Sequence, residues 1–177
     1  MTKVLIMSDS HGLRDELTII RQRHEHEVDA IIHCGDSELQ SDAAELSSFI
    51  KVTGNCDMDP RYSNEEVVDI GGFTFLVVHG HLHQVKASLM PLSYRAQEYH
   101  AHIACFGHTH IAGAEKVDDI LFINPGSILM PRGRMEKTYA LLSWENPDSL
   151  LVDFYTVDGE VLEDMHYETK LHIKKEN

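Results

Sequence analysis

Apolar residues fall into six short runs, each ended by small and polar residues. KVLIM is followed by SDSHG, VDAIIH by CGDSE, FIKVT by GNCD, FTFLVV by HGHLH, HIACF by GHTH and DILFI by NPGS. Runs of this length and composition predict strands buried on both faces. Between the first of them, Leu13, Leu17 and Ile20 recur at helical spacing, and Leu46, Phe49 and Ile50 mark a second helical face. The expectation is a βαβαβ opening with a largely parallel sheet. After Thr138 the pattern changes to alternating strands, TYALLSW and SLLVDFYTV, with turns at Asn146-Pro147-Asp148 and Asp158-Gly159. These predict an antiparallel tail that completes a second sheet, whose edge strands could pair in a homo-oligomer. No repeat, low-complexity tract or linker interrupts the chain, so residues 1–177 read as one domain.

Charge and cysteine usage narrow the function. The net charge is −14 with histidines neutral, which opposes stable binding to nucleic acid or anionic lipid through phosphate contacts. A phosphate-bearing substrate would need a local positive charge such as a metal. Cys34, Cys56 and Cys105 are odd in number and form no CxxC pair, so neither a disulfide framework nor a cysteine-rich zinc site is indicated. There is no membrane-length apolar run, and the first apolar stretch meets Asp9 and His11 too soon for a signal peptide. A soluble, cytoplasmic protein is expected.

In open α/β sheets, ligands bind beyond the carboxyl ends of the strands, where loops and helix N-termini gather. Five of the six runs deliver metal-ligating residue types to that edge: Asp9 and His11, Asp36, Asn55, His79, and His108 with His110. Two carboxylates, four imidazoles and one amide oxygen exceed the needs of a single ion. They suit two ions about 3.5–4 Å apart that share a carboxylate, the arrangement of two-metal phosphatases and nucleases. An isolated Asp9 or Asp36 could instead cap a helix, but capping leaves the four histidines unexplained.

The ordered series Asp9-x-His11, Gly35-Asp36, Gly54-Asn55, His79 and Gly107-His108-x-His110 resembles the calcineurin-like metallophosphoesterases. GNCD, HGH and NPGS are similar to the compact bacterial and archaeal phosphodiesterases of that superfamily, and the resemblance runs over roughly residues 3 to 134. It implies a four-layer α/β/β/α sandwich, two mixed sheets flanked by helices, with a dinuclear centre. It also implies that Asp9, His11 and His110 hold one ion, that Asn55, His79 and His108 hold the other, and that Asp36 bridges them. The reaction implied is hydrolysis of a small phosphoester by a water that two divalent ions activate. Manganese is the first choice by resemblance. The mixed nitrogen and oxygen donors also suit Fe, Zn or Ni, and suit Mg less. The resemblance further implies that Asn124 to Ser127 buttress the metal edge.

Much of the superfamily carries His after the Asn, as a leaving-group acid or transition-state stabiliser, whereas this chain has Cys56. His81 is the nearest replacement by sequence. Arg132 and Arg134 in PRGR are candidate phosphate contacts, although exposed arginines on an acidic protein are commonly solubilising. Glu65-Glu66 and the terminal KKEN read as solvated surface. Three classes compete: a hydrolase with phosphodiesterase ahead of phosphomonoesterase activity, a non-catalytic scaffold like the retromer subunit of this fold, and a metallo-β-lactamase-type hydrolase. The scaffold has lost metal-site histidines that this chain keeps. The third class needs HxHxDH, and Ile111-Ala112-Gly113 follows His110 instead.

Overall fold

The computed structural model describes residues 1–172, so the KKEN segment lies outside the described residues. The chain begins with β1 (Thr2–Met7), α1 (Asp15–His24), β2 (Ala30–His33) and β3 (Phe49–Lys51). There follow β4 (Glu65–Ile70), β5 (Phe73–Val78), α2 (Met90–Glu98) and β6 (Ile103–Cys105). β7 (Gly113–Val117), β8 (Ile120–Asn124), β9 (Thr138–Asn146), β10 (Ser149–Thr156) and β11 (Tyr167–Thr169) complete it. All six apolar runs contain a strand. The structure forms two sheets, ordered β11-β10-β9-β1-β2-β3 and β4-β5-β6-β8-β7. Strands β1, β2 and β3 are parallel, as are β5, β6 and β8, and the remaining strands pair antiparallel to their neighbours.

Apolar burial accounts for the layering. Val4, Ile6, Ile32, Phe75, Val77, Leu142 and Phe154 belong to the core between the sheets. Leu5, Met7 and Tyr139 on the other face of the first sheet pack with Leu17 and Ile20 of α1. Leu76, Val78, Ala104 and Phe122 do the same with Leu92 and Ala96 of α2. Strands with apolar residues on both faces therefore sit between a helix and the partner sheet, which gives the expected four-layer α/β/β/α sandwich. Among the described residues, no helix is long and apolar enough to cross a membrane.

Three expectations are corrected. Leu46, Phe49 and Ile50 do not form a helix: Ala44–Leu46 is a single 3-10 turn, and Phe49 and Ile50 lie in β3, where they pair with Ile31 and Ile32. Three apolar residues within five positions fit both periods, and the pairing with β2 decides for the strand. The antiparallel tail does not complete the second sheet but extends the first, through β9 against β1. The second sheet is built from β4 to β8, of which β4 and β7 are less apolar and half-exposed. The second sheet is covered by α2, for which the sequence pattern predicts no element. Glu65 is not merely solvated: it accepts Arg95 Nε at 3.0 Å and Tyr99 Oη at 2.5 Å, tying α2 to the edge strand β4.

Candidate metal centre

The loops after β1, β2, β3, β5 and β6 bring all seven candidate ligands to one edge of the sandwich. Their backbone is unusual. Asp9, His11, Asp36, Glu38, His108 and His110 all have positive φ, between 44° and 69°, and only three other non-glycine residues do among the described residues. Such conformations cost on the order of 1–3 kcal/mol each and persist where the surroundings over-determine them, which is common at functional sites.

Close approach explains two of the motif glycines. A Cβ on Gly54 would lie 2.0 Å from Asp36 Oδ1, and one on Gly107 would lie 2.0 Å from Ser8 Oγ and 2.5 Å from Asp9 Oδ2. The GN and GH motifs thus make room for the carboxylates of neighbouring loops.

Hydrogen bonds fix the imidazole tautomers. His79 Nδ1 lies 2.7 Å from Cys34 O and His110 Nδ1 lies 2.7 Å from Met130 O. A carbonyl only accepts, so both Nδ1 atoms carry the proton and each neutral ring presents an Nε2 lone pair. His11 Nδ1 donates in the same way to Glu38 Oε2 at 2.9 Å. The three Nε2 atoms converge on acceptors. Asp9 Oδ1 is 3.1 Å from His110 Nε2 and 3.8 Å from those of His11 and His79. His79 Nε2 is 3.1 Å from both Asp36 Oδ2 and Asn55 Oδ1, and the Nε2 atoms of His11 and His110 are 3.3 Å apart. Asp9 is fully buried, and its Oδ1 has no aligned hydrogen-bond partner. Its Oδ2 is used by Ser8 Oγ at 2.6 Å and His108 N at 3.0 Å.

Lone pairs facing lone pairs require positive charge between them. Protons can supply it. Burial lowers His79, yet Asp36 and Asp9 more than offset this and hold it above the usual imidazole range; the contact with Asp9 does the same for His110. Burial raises Asp9 and Asp36, but the imidazoles hold both below the usual carboxylate range. A divalent ion would satisfy the same atoms without a strained proton. Donor atoms of Asp9, His11 and His110 lie within 4.8 Å of one another, as do those of Asp9, Asp36 and His79, and of His11, Asp36 and Cys56. His108 lies alongside, 5.1 Å from His79 between ring centroids, with burial driving it down to about 4. The donor set fits a metal: each locked imidazole donates its other N–H to a carbonyl or carboxylate, as metal-ligating histidines do.

Sequence reasoning missed several residues that hold these ligands. Asp57 Oδ2 accepts Asp36 N and Gly54 N, and its Oδ1 accepts Glu38 N. His33 accepts Gly35 N at Nδ1 and donates from Nε2 to Ser10 Oγ at 2.8 Å; burial pushes it to about 4, so it is neutral. The signal for Asp57 and Glu38 was their place inside GNCD and GDSE. His33 had none. The NPGS segment does buttress the edge: Asn124 Nδ2 donates to Gly107 O and Thr109 Oγ1, and Ser127 Oγ donates to Asp9 O at 2.7 Å.

His81 stands beside the cluster, its ring 5.3 Å from His79 and 6.1 Å from His108. Arg132 is exposed, with its backbone N–H on His110 O. Arg134 is held by Glu136 at 2.9 Å and Asp164 at 3.4 Å. Cys34 and Cys105 are buried free thiols in the core. Cys56 remains a thiol, pushed up to about 11 by burial and Asp36.

A sequence profile for the calcineurin-like phosphoesterase superfamily domain matches residues 2–147. The chain belongs to that superfamily. It is 49% identical over 162 residues to a probable metallophosphoesterase of Bacillus subtilis, YsnB, covering 92% of this chain and 95% of the relative. It is 32% identical over 146 residues to the phosphodiesterase MJ0936 of Methanocaldococcus jannaschii, covering 70% and 82%. Its fold matches the crystal structure of a predicted phosphoesterase from Streptococcus pneumoniae with a TM-score of 0.91 at 36% identity, over 96% of this chain and 97% of that one. Membership in this superfamily supports a metal-dependent hydrolase acting on phosphoesters.

Proposed function

We propose that the chain is a dinuclear metal-dependent phosphodiesterase acting on small diesters. The observation that carries this is the convergence of three Nε2 lone pairs on the carboxylates of Asp9 and Asp36, with Asp9 Oδ1 buried and unpartnered. Asp9, His11 and His110 would hold one ion and Asn55, His79 and His108 the other, with Asp36 between them. Manganese is the first candidate, ahead of Fe, Zn and Ni. Two such ions neutralise the phosphoryl oxygens, orient the ester and lower the pKa of water.

The protein's own part is positioning. Glu38, Cys34 O and Met130 O fix the imidazole rings, while Ser8 and the His108 amide hold the inner oxygen of Asp9. Cys56, a thiol at neutral pH, supplies no imidazolium. His81 is the imidazole next to the cluster that is not needed as a ligand, and we assign it the proton for the leaving oxygen. Arg132 would meet the substrate phosphate. Arg134 could do so only by releasing Glu136 and Asp164.

The test is metal analysis beside hydrolysis of a bis-aryl phosphate. Two ions per chain and turnover lost on chelation are expected. Metal-stripped protein that keeps full turnover would overturn the proposal. His81→Ala should lower kcat chiefly for poor leaving groups, and a uniform loss would remove His81 from the proton-donor role.

A further inference from the structure

A groove of about 320 Å³ opens beside GHTH on the outer face of the second sheet, between the segment leading into α2 and β7. Its near end is Thr109, the residue between His108 and His110, so its Cα is one virtual bond, about 3.8 Å, from each of theirs. Asn124, which bonds Thr109 Oγ1 at 2.9 Å, lines the same end. Val85, Leu89 and Phe106 form one wall, and Ile111, 52% exposed, stands at the rim.

Strand alternation shows how the groove is kept open. Ala112 and Ala114 pack against the core between the sheets, so Gly113 and Glu115 face outward, opposite Asn124 and Phe122 of β8. A Cβ on Gly113 would meet nothing within 4 Å. Glycine is therefore not forced there by crowding, and any larger residue would fill the groove floor. Among the lining residues the one charge is the Glu115 carboxylate, with no cation. A second phosphate or carboxylate on the substrate would be repelled. A flat ring with apolar faces and N–H donors would match the walls and Glu115 together, and the volume lies in the range of small-ligand sites.

We propose that this groove is a specificity subsite for a heteroaromatic base, so that the preferred substrates are monoanionic diesters of a single nucleoside. The proposal rests on the phosphodiesterase reading above and adds the substrate class. Three 4-nitrophenyl phosphodiesters with the same leaving group test it, carrying a nucleoside 5′-oxygen, methyl or choline as the second substituent. Each hydrolysis consumes one water and yields 4-nitrophenol and the corresponding monoester. The nucleoside ester should exceed the methyl ester by about tenfold or more in kcat/KM, and Gly113→Val should collapse that ratio towards one through KM. Should Gly113→Val fail to fold, Ile111→Ser, at an exposed position, should also shrink the ratio. Equal values for the nucleoside and methyl esters, a ratio untouched by both variants, or a Glu115-dependent advantage for the choline ester would overturn the proposal. If no diester turns over, the phosphodiesterase reading falls. The groove is then judged by calorimetry with a nucleoside 5′-methyl phosphate. Binding that Gly113→Val or Ile111→Ser weakens about tenfold supports it, and no binding to the wild type, or equal binding to both, overturns it.

Discussion

Asp57 accepts the backbone N–H of Asp36 at 2.8 Å, and the same oxygen accepts Gly54 N at 2.7 Å while its partner oxygen takes Glu38 N at 2.7 Å. One carboxylate thus ties the loop after β2 to the loop after β3. Hydrogen bonds to a charged group contribute roughly 1.5–3 kcal/mol each. Asp57→Ala should therefore weaken metal binding by about 10–100-fold, as loss of supporting contacts does, and should lower stability. Titration with a metal indicator checks this; unchanged affinity would show that the loops hold their shape without Asp57.

The motifs made the candidate site legible because chemistry concentrates unusual residues at strand ends: Asp9, His11, Asp36, Asn55, His79, His108 and His110 all lie in loops at one edge. The six strands were legible for a similar reason, since burial on both faces leaves an unbroken apolar run. What was not legible depended on partners distant in sequence. The half-exposed β4 and β7 carry mixed residues because one face meets solvent. The sheet that receives β9 is decided by its pairing with β1, 130 residues and more away in the chain. His33 looks like any buried strand residue until Ser10 and Gly35 are placed against it.

Asp36→Asn should cost far more than Cys56→Ala. Asp36 Oδ2 lies 3.1 Å from His79 Nε2 and its Oδ1 accepts Cys56 N at 2.8 Å, and in the proposed centre its carboxylate would serve both ions. The Cys56 side chain is an uncharged thiol, and its backbone N–H survives the change to Ala. The expected outcome is loss of bound metal in Asp36→Asn and a loss of no more than about 10–100-fold in kcat for Cys56→Ala. Equal metal content and equal kinetic loss would contradict the placement of Asp36.

His33 should make the fold acid-sensitive. Its folded pKa is lowered to about 4 because burial disfavours the imidazolium, against roughly 6.5 in an unfolded chain. Between these values the unfolded state binds more protons, so stability rises with pH from about 4 to about 6.5 and falls as pH drops through that window. The difference corresponds to about 3 kcal/mol when fully expressed, below pH 4. His33→Asn, whose Oδ1 can still accept Gly35 N, should flatten this part of the curve. Denaturant unfolding of both proteins at pH 7 and pH 5 measures it, and parallel curves would show that another group sets the acid limb.

Diesters should be preferred over monoesters. A monoester near neutral pH carries close to two negative charges, and holding the second calls for Arg or Lys donors beyond the metals. Two of the basic side chains that could supply such donors are already occupied. Arg14 is paired with Glu45 at 2.9 and 3.0 Å, and Arg134 with Glu136 and Asp164. The net charge of −14 repels a dianion more than a monoanion, although salt screens exposed charges beyond about 8 Å. A bis-aryl phosphate should therefore exceed the mono-aryl phosphate of the same leaving group in kcat/KM, with the same metal. A monoester value equal to or above the diester value would defeat the prediction. The extra charge would then have to be met by Arg132 and Lys86, exposed cations whose fields already bear on His110 and His108. Arg132→Ala would in that case lower monoester turnover more than diester turnover.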